Sequence, residues 1–324
     1  MLQLPNLAPE TIELAMRAGI LFLPIALSLL LFLVRPPAYF ERVGLLLSFL
    51  LCLPVVFFIN SQAPYWEWWT YASTERDFLA IPVELALGWS VLWGVFIPYL
   101  FKGRIIPALV FALVLDVLFM PLFEPLFILG DTWLVGEALL LAFALIPGVF
   151  IFRLTVQRRW VLGRALLQSY VWGIWILFFI PSMVLKVEGL FIWSLPQLST
   201  VSTGLGLLLV GLGIVLGYRA LIEFALQGKG TPIPFDPPQH LVKTGVYGYI
   251  ANPLQCSSLL MLMGVMVFYS SFMMLYPIVI LFMYCEGFVR WHHSIDIEKR
   301  FGNDWLRYRS QVKNWFPRLK RCED

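Results

Sequence analysis

Nine long apolar segments divide this chain, and they restrict its fold more than any other feature of the sequence. Each holds roughly 20 residues, the length that a helix needs to cross a bilayer. The chain is 60% hydrophobic and only 13% charged, with a mean hydropathy of +0.81, which excludes an ordinary soluble domain. We therefore predict an all-α polytopic membrane protein with about nine transmembrane helices. The predicted segments are 13–34, 43–60, 78–100, 105–127, 132–152, 165–186, 201–225, 254–270 and 272–290.

Basic residues follow every second apolar segment, whereas the other loops hold little Lys or Arg. Loops rich in Lys and Arg stay on the cytoplasmic side of a membrane. The pattern predicts an outside N-terminus and a cytoplasmic C-terminus, in an integral protein that we expect in a bacterial cytoplasmic membrane. The basic loop residues are Arg35, Arg42, Lys102, Arg104, Arg153, Arg158, Arg159, Arg164, Lys229 and Lys243, followed by a basic tail from Arg290 onward.

The basic loop near Arg153 to Arg164 is the one shift in composition that suggests a domain boundary. We predict an N-terminal transmembrane bundle of unknown role in residues 1–160, and a transmembrane core with a cytosolic basic tail in residues 161–324. The sequence does not indicate the oligomeric state.

Three carboxylates lie within the N-terminal segments, at Glu84, Asp116 and Glu137. An ionisable group inside a bilayer is costly, so such acids are functional candidates by default. They either share a polar pocket or are neutral acids hydrogen-bonded between helices, and the sequence leaves both interpretations open.

A Pro-rich loop from Gly228 to Pro253 separates the seventh and eighth segments. Its five prolines fix backbone angles and remove amide donors, which prevents most of the loop from forming helix or sheet. A loop this rigid is either shaped to hold a ligand or a stiff connector.

Two sequence patterns near the C-terminus resemble one membrane enzyme family. The first runs Thr-Pro-x-Pro-x-x-Pro-Pro, then His-x-Leu-Val-x-x-Gly-x-Tyr, then Asn-Pro before an apolar segment, and the second is a Phe-Gly tail ending in Trp-x-Pro. Together they resemble the superfamily of isoprenylcysteine carboxyl methyltransferases and phospholipid methyltransferases, with sterol reductases as distant relatives. The matching residues are Thr231, Pro232, Pro234, Pro237, Pro238, His240, Leu241, Val242, Gly245, Tyr247, Asn252, Pro253, Phe301, Gly302, Trp305, Tyr308, Val312, Trp315 and Pro317.

The resemblance implies methyl transfer from S-adenosylmethionine to a lipid or a lipidated, isoprenylcysteine-like acceptor at the cytoplasmic face. It also implies that the loop, the start of the eighth segment and the end of the ninth clamp the cofactor, with the tail folded over them. We expect no metal site, since the chain has three His in all. The implied cofactor-binding residues are His240, Leu241, Val242, Gly245, Tyr247, Asn252 and Pro253.

The chain departs from the family pattern at four positions. Ala251 stands where the family has Arg, Gln255 where it has Tyr, and His293 with Ser294 where it has two Glu. These changes remove the usual anchor for the cofactor or for a carboxylate substrate.

A replacement anchor is visible at Glu286, Arg290 and His293, which are spaced to share one helical face. As the candidate catalytic residues, Glu286 would meet the amine or sulfonium of the cofactor, Arg290 a carboxylate, and His293 would act as base or hydrogen-bond donor. The other interpretation is an ordinary interfacial ion pair.

Two further classes of function remain open. A non-catalytic family member would keep the fold to bind a lipid or a membrane-protein partner, and a reductase would use a nicotinamide cofactor. Aromatic and basic residues alternate in the tail, which we interpret as a surface for anionic lipid headgroups and not for nucleic acid. Glycines of the seventh segment predict close helix packing through Gly213 and Gly217, not a nucleotide site.

Overall fold

The computed structural model describes residues 9–71, 77–78, 81–123, 126–190, 200–233 and 236–322. Most of these residues are helical, in agreement with the predicted all-α class. The chain forms two compact units, Met1–Arg159 and Trp160–Asp324.

The N-terminal unit is a bundle of five apolar helices, of which the second is the most buried. Helix α2 packs against α3 and α5, while α1 packs against α3. Leu51, Cys52 and Val56 on α2 have no exposed surface. The helices are α1 (Pro9–Val34), α2 (Tyr39–Gln62), α3 (Val83–Leu100), α4 (Ile105–Phe123) and α5 (Trp133–Gln157).

Two short antiparallel strand pairs connect the helices of this unit, and the sequence pattern did not predict them. Strand β1 (Trp69–Tyr71) pairs with β4 (Phe127–Leu129), so that Thr70 lies opposite Ile128. Strand β2 (Asp77–Phe78) pairs with β3 (Ile81–Pro82). The first pair ties the connection before α3 to the connection between α4 and α5.

The C-terminal unit contains four apolar helices followed by an amphipathic one. A wide turn, His293–Ile297, lies between the end of the apolar helices and the last helix. The helices are α6 (Val161–Val187), α7 (Thr200–Gly228), α8 (Pro253–Tyr269), α9 (Phe272–Val289) and α10 (Glu298–Gln311).

Helices α7 and α8 pack closely through small residues. A Cβ added at Gly206 would lie 2.8 Å from the carbonyl oxygen of Gly264, and one at Gly213 would lie 2.9 Å from that of Ser257. At Gly217 an added Cβ would meet the Ser257 hydroxyl at 2.4 Å. The predicted helix packing through Gly213 and Gly217 is confirmed.

Three spans contain a π-helical turn directly before an Ile-Pro pair. The turns are Leu92–Phe96 in α3, Leu141–Leu145 in α5 and Trp175–Phe179 in α6. In each, the Ile amide bonds to the carbonyl five residues earlier. Because proline has no amide hydrogen and its ring clashes with the carbonyl four residues back, the wider turn lets the span continue through the proline.

Eight helices in the described part of the chain are long and apolar enough to cross a membrane. The ninth apolar helix, Pro253–Tyr269, has 17 residues, at the short end of the range for a span. All nine predicted segments therefore correspond to helices, and large apolar side chains such as Leu33, Leu118 and Ile280 point outward, as lipid-facing residues do. The protein is a polytopic integral membrane protein.

Candidate functional site

A buried ion pair fixes the Pro-rich loop to the start of α6. The Arg164 guanidinium donates to the Asp236 carboxylate, and the two side chains are only 3% and 4% exposed. Thr231 adds a 2.9 Å bond from its amide to the Asp236 carbonyl and a 3.3 Å bond from its hydroxyl to the Asp236 carboxylate. These bonds hold the first half of the loop in one conformation.

Two glycines let the loop backbone turn tightly after α7. The Gly228 carbonyl accepts a 2.7 Å bond from the Gln239 amide, and a Cβ at Gly230 would lie 2.6 Å from the Pro238 Cα. Any larger residue at position 230 would push the two arms of the loop apart. The prediction of a rigid loop thus has a visible cause in these contacts.

The predicted cofactor-binding residues divide into a buried group and an exposed group. The side chains of Val242 and Tyr247 pack with Ala220 of α7 in an apolar cluster. Leu241 packs instead against a cluster formed by the C-terminal tail, while His240 is exposed. Of these residues, His240 presents a free side chain, whereas Val242 and Tyr247 shape the wall behind the loop.

Gly245 is required by its backbone geometry. Its φ is +54°, and an added Cβ would lie 2.4 Å from the carboxyl group of Glu223. The Thr244 hydroxyl donates to this same carboxylate at 3.2 Å. Glu223, which the sequence pairs by spacing with Arg219, thus binds the loop through Thr244.

The C-terminal tail folds back onto the loop through backbone hydrogen bonds. The Ala251 amide donates to the Lys313 carbonyl, and the Arg318 amide donates to the Tyr249 carbonyl, both at 2.9 Å. A third 2.9 Å bond joins the Cys322 amide to the Gly248 carbonyl. The two C-terminal sequence blocks, far apart along the chain, therefore form one folded surface.

Burial raises the pKa values of two tyrosines at this surface. The pKa of Tyr247 is raised well above its usual value, first by burial and then by nearby Tyr308 and Glu223. Burial is also the largest cause that raises the pKa of Tyr308. Both phenols are therefore hydrogen-bond donors at physiological pH and not bases.

The predicted catalytic face at the end of α9 is tied to the tail. The Glu286 carboxylate accepts a 3.1 Å bond from Arg290 and a second bond from the Trp315 indole N–H. Trp315 also packs on Phe282, with 5.1 Å between ring centroids. Arg290 is 69% exposed and Glu286 27% exposed, so this pair borders solvent. The side chain of His293 lies outside the described residues.

An unpaired guanidinium nitrogen lies where tail and loop join. Nη1 of Arg318 is buried and has no hydrogen-bond partner among the described residues. Its backbone amide belongs to the bonds that hold the tail against Tyr249. Arg318 as a whole is half-buried, and a guanidinium with an unused donor is suited to an anion such as a carboxylate or phosphate.

Sequence reasoning did not identify Arg318, Asp236 or Arg164 as parts of the site. The positive-inside rule already accounted for Arg164, and Arg318 was one of many basic residues in the tail. The one available signal for Asp236 was its place as an acid within a rigid loop.

At the start of α8, Asn252 is buried and Pro253 occupies the first helical turn. The Cys256 thiol, one turn later, is 3.8 Å from the Asn314 carbonyl of the tail. Loop, helix start and tail therefore meet at Asn252 and Pro253, as the resemblance implies, while cofactor binding by these two residues stays a prediction.

A comparison with protein families matches residues 201–303 to the family model for phospholipid methyltransferase. The matched region covers α7, the loop, α8, α9 and the first residues of α10. By this match the C-terminal part is similar to the isoprenylcysteine and phospholipid methyltransferase superfamily, which supports a membrane methyltransferase. No curated protein and no solved structure matches the chain.

Proposed function

We propose that this chain, whose C-terminal part carries the phospholipid methyltransferase match, transfers a methyl group from S-adenosylmethionine to a lipid or lipidated acceptor at the cytoplasmic face. The observation that carries the proposal is the set of backbone bonds between residues 248–251 and the tail. These bonds put both sequence blocks of the family resemblance on one surface beside the ends of two spans. Methyl transfer needs residues that position both reactants and exclude water, because these two effects supply much of the rate.

The charged groups at this surface fit S-adenosylmethionine, whose methylsulfonium would supply the transferable methyl group. Arg318 offers its buried, unpaired Nη1 to the carboxylate of the amino acid part. Glu286 offers a carboxylate to the amine or sulfonium, and His240 is free to contact the remainder. Arg290 and His293 are the other proposed participants, and both lie near Glu286 along the chain.

Arg318 replaces the guanidinium that Ala251 lacks. Ala251 is bonded through its backbone to the tail at Lys313, and Arg318 returns five residues later to bond Tyr249. The tail therefore places an arginine in the same set of backbone hydrogen bonds as Ala251, the loop position at which the family carries its arginine. An arginine at position 318 thus compensates for the missing arginine at position 251, the main departure of the sequence from the family pattern.

The acceptor reaches the site from the membrane. Helix α8 begins and α9 ends at this surface, and both are apolar spans, so a nucleophile carried on a lipid can approach along them. Basic residues of the tail such as Lys299, Arg300 and Arg307 favour anionic headgroups at the same level. This arrangement supports a membrane-borne acceptor over a water-soluble one.

Calorimetry on the purified protein in lipid nanodiscs tests the proposal. S-adenosylmethionine should release or absorb heat on binding, and Arg318→Ala should weaken its affinity by about tenfold or more, since hydrogen bonds to charged groups contribute about 1.5–3 kcal/mol. Arg307→Ala is the matched control, because Arg307 is an exposed tail arginine and should leave affinity unchanged.

The alternatives give different results in the same preparation. Absence of any binding heat, together with thermal stabilisation by a phospholipid, would replace the enzyme with a non-catalytic lipid binder. Stabilisation by a nicotinamide cofactor, but not by S-adenosylmethionine, would favour the reductase. Equal affinities for the wild type and Arg318→Ala would remove Arg318 from the cofactor site while leaving the activity open to direct assay.

A further inference from the structure

Two buried acids of the N-terminal unit have no role in the proposed methyl transfer. Asp116 lies on α4 and Glu137 on α5, and they are 2% and 1% exposed. The two helices follow each other along the chain as a hairpin. Counted at about 1.5 Å per residue, Asp116 is about 10 Å from the end of α4 and Glu137 about 6 Å from the start of α5. The two acids therefore lie at similar depths below the same end of the hairpin.

These acids lack the partners that buried carboxylates normally have. Both carboxylate oxygens of Glu137 and Oδ2 of Asp116 have no hydrogen-bond partner within the described part of the chain. Glu84 provides the contrast in the same unit, since its carboxylate is 3.4 Å from Nη1 of the buried Arg17.

The surrounding helices offer no cation to this pair among the described residues. Cys52 of α2 donates toward the Ala144 carbonyl, about 10 Å along α5 from Glu137. Glu84 of α3 is occupied by Arg17, and Tyr71 of β1 bonds to Asn60. None of these groups neutralises Asp116 or Glu137.

Two carboxylates that are buried at similar depths in one helix hairpin, without hydrogen-bond partners among the described residues, cannot both remain ionised in an apolar interior. Desolvation penalises each charge, so a buried acid binds a proton unless a cation compensates it. A divalent metal would require more oxygen or nitrogen ligands than two acids supply. No cluster of three or more metal-binding side chains is present among the described residues. A proton is the remaining cation that satisfies both groups.

We propose that Asp116 and Glu137 form a proton-binding carboxyl site, in which the two acids together hold at least one proton inside the N-terminal bundle. Trp69 of β1 packs against the start of α5, beside Glu137. The ring of Trp69 is so close to Gly136, the residue before Glu137, that an added Cβ at position 136 would meet it at 2.4 Å. This site belongs to the N-terminal unit and is independent of the methyltransferase proposal.

Chemical labelling of the full-length protein in nanodiscs tests this site. Dicyclohexylcarbodiimide enters apolar regions and adds only to protonated carboxyl groups, and peptide mass spectrometry then locates the product. At about pH 6 we expect label on Asp116 or Glu137 at least about tenfold above that on Glu84, whose carboxylate forms an ion pair with Arg17. The label should fall several-fold at about pH 10, where carboxyl groups lose their protons.

Two single variants show which acid carries the proton. The labelling result for the wild-type protein remains valid even if a variant folds poorly. Glu137→Gln should move the label to Asp116, and Asp116→Asn should move it to Glu137, because either acid alone remains buried and neutral. Absence of label on both acids at about pH 6, or equal label on Glu84, would overturn the proposal. Suppression of labelling by sodium ions at constant pH would overturn the assignment to a proton in favour of a sodium site.

Discussion

The hydroxyl of Tyr308 donates a 2.8 Å hydrogen bond to the backbone carbonyl of Tyr247, and both side chains are buried. One residue belongs to the tail and the other to the Pro-rich loop, so this bond joins the two sequence blocks by which the family resemblance is recognised. It complements the backbone bonds of residues 248–251 with a side-chain contact inside the fold.

We expect Tyr308→Phe to loosen the tail from the loop. The change leaves the Tyr247 carbonyl buried without its donor, which costs about 1–3 kcal/mol. The melting temperature should fall, and S-adenosylmethionine affinity should fall with it if the tail completes the cofactor site. Differential scanning fluorimetry and calorimetry measure the two effects. Tyr249→Phe, at an exposed ring of the same loop, is the control; an equal loss in both variants would remove the special role of Tyr308.

Alkaline pH should destabilise the same surface. The folded pKa values of Tyr247 and Tyr308 lie above that of an unfolded tyrosine, about 10. Below pH 10 both tyrosines are neutral in the folded and in the unfolded chain, and the stability that they contribute is fully present. Above it the unfolded chain loses protons that the folded chain retains, so stability falls as pH rises toward the folded values. Melting curves from about pH 8 to about pH 11 should show this decline, with a shallower slope in Tyr308→Phe.

Removal of one partner from the Arg164–Asp236 pair should be severely destabilising. Each single variant removes the ion-pair partner of a buried charge, which costs about 3–5 kcal/mol. Asp236→Ala should therefore lower the melting temperature far more than Asp296→Ala, which breaks an exposed pair with Arg300. If the double variant Arg164→Leu/Asp236→Leu is less stable than either single variant, the ion pair contributes more to stability than the mutual neutralisation of its two charges.

The positions of the spans could be predicted from the sequence, because an apolar run of this length has no other stable environment. The π-helical turns inside the spans could not be predicted, since an Ile-Pro pair such as that at Pro98 indicates only a kink. Whether the chain widens into a π-helical turn there depends on the helices packed around it. Likewise, the Pro-rich loop was predictable as rigid, but the burial of Val242 and Tyr247 against α7 was not.

Contacts between distant residues account for most of what the sequence missed. Arg164 and Asp236 are 72 positions apart, and nothing local in either segment indicates their ion pair. The sequence singled out Glu84 as an acid within a span, but it did not indicate that Glu84 is only half-buried and pairs with Arg17, 67 positions away. The prediction for Glu286, Arg290 and His293 stays open, because Glu286 also binds Trp315 of the tail.

A test of that catalytic prediction compares Glu286→Gln with Asp296→Asn. Both acids accept from an arginine four residues further along, but Glu286 also accepts from Trp315 at the loop–tail surface. Loss of the Glu286 charge should lower S-adenosylmethionine affinity by about tenfold, the effect of removing one charge-assisted hydrogen bond. Asp296→Asn should have no effect, and calorimetry on both variants settles the comparison. If the two variants bind S-adenosylmethionine with equal affinity, Glu286 forms an ion pair but does not contribute to cofactor binding.

Close packing of α7 on α8 predicts a sharp difference between two glycines of one helix. Alanine at Gly206 would place a methyl group 2.8 Å from the Gly264 carbonyl and from the Phe268 Cα, both of which belong to backbone that cannot yield without a shift of the helices. Overpacking of this kind costs about 1–3 kcal/mol. Gly211 has nothing within 4 Å of an added Cβ, so Gly211→Ala should be neutral or slightly stabilising. Thermal unfolding of the two variants in the same nanodisc lipid checks the difference. Because α8 begins at Asn252 and Pro253, displacement of this helix by Gly206→Ala should also weaken S-adenosylmethionine binding. Gly211→Ala should leave the affinity unchanged. If Gly206→Ala lowers stability without lowering affinity, the loop–tail surface keeps its structure independently of the contact between α7 and α8.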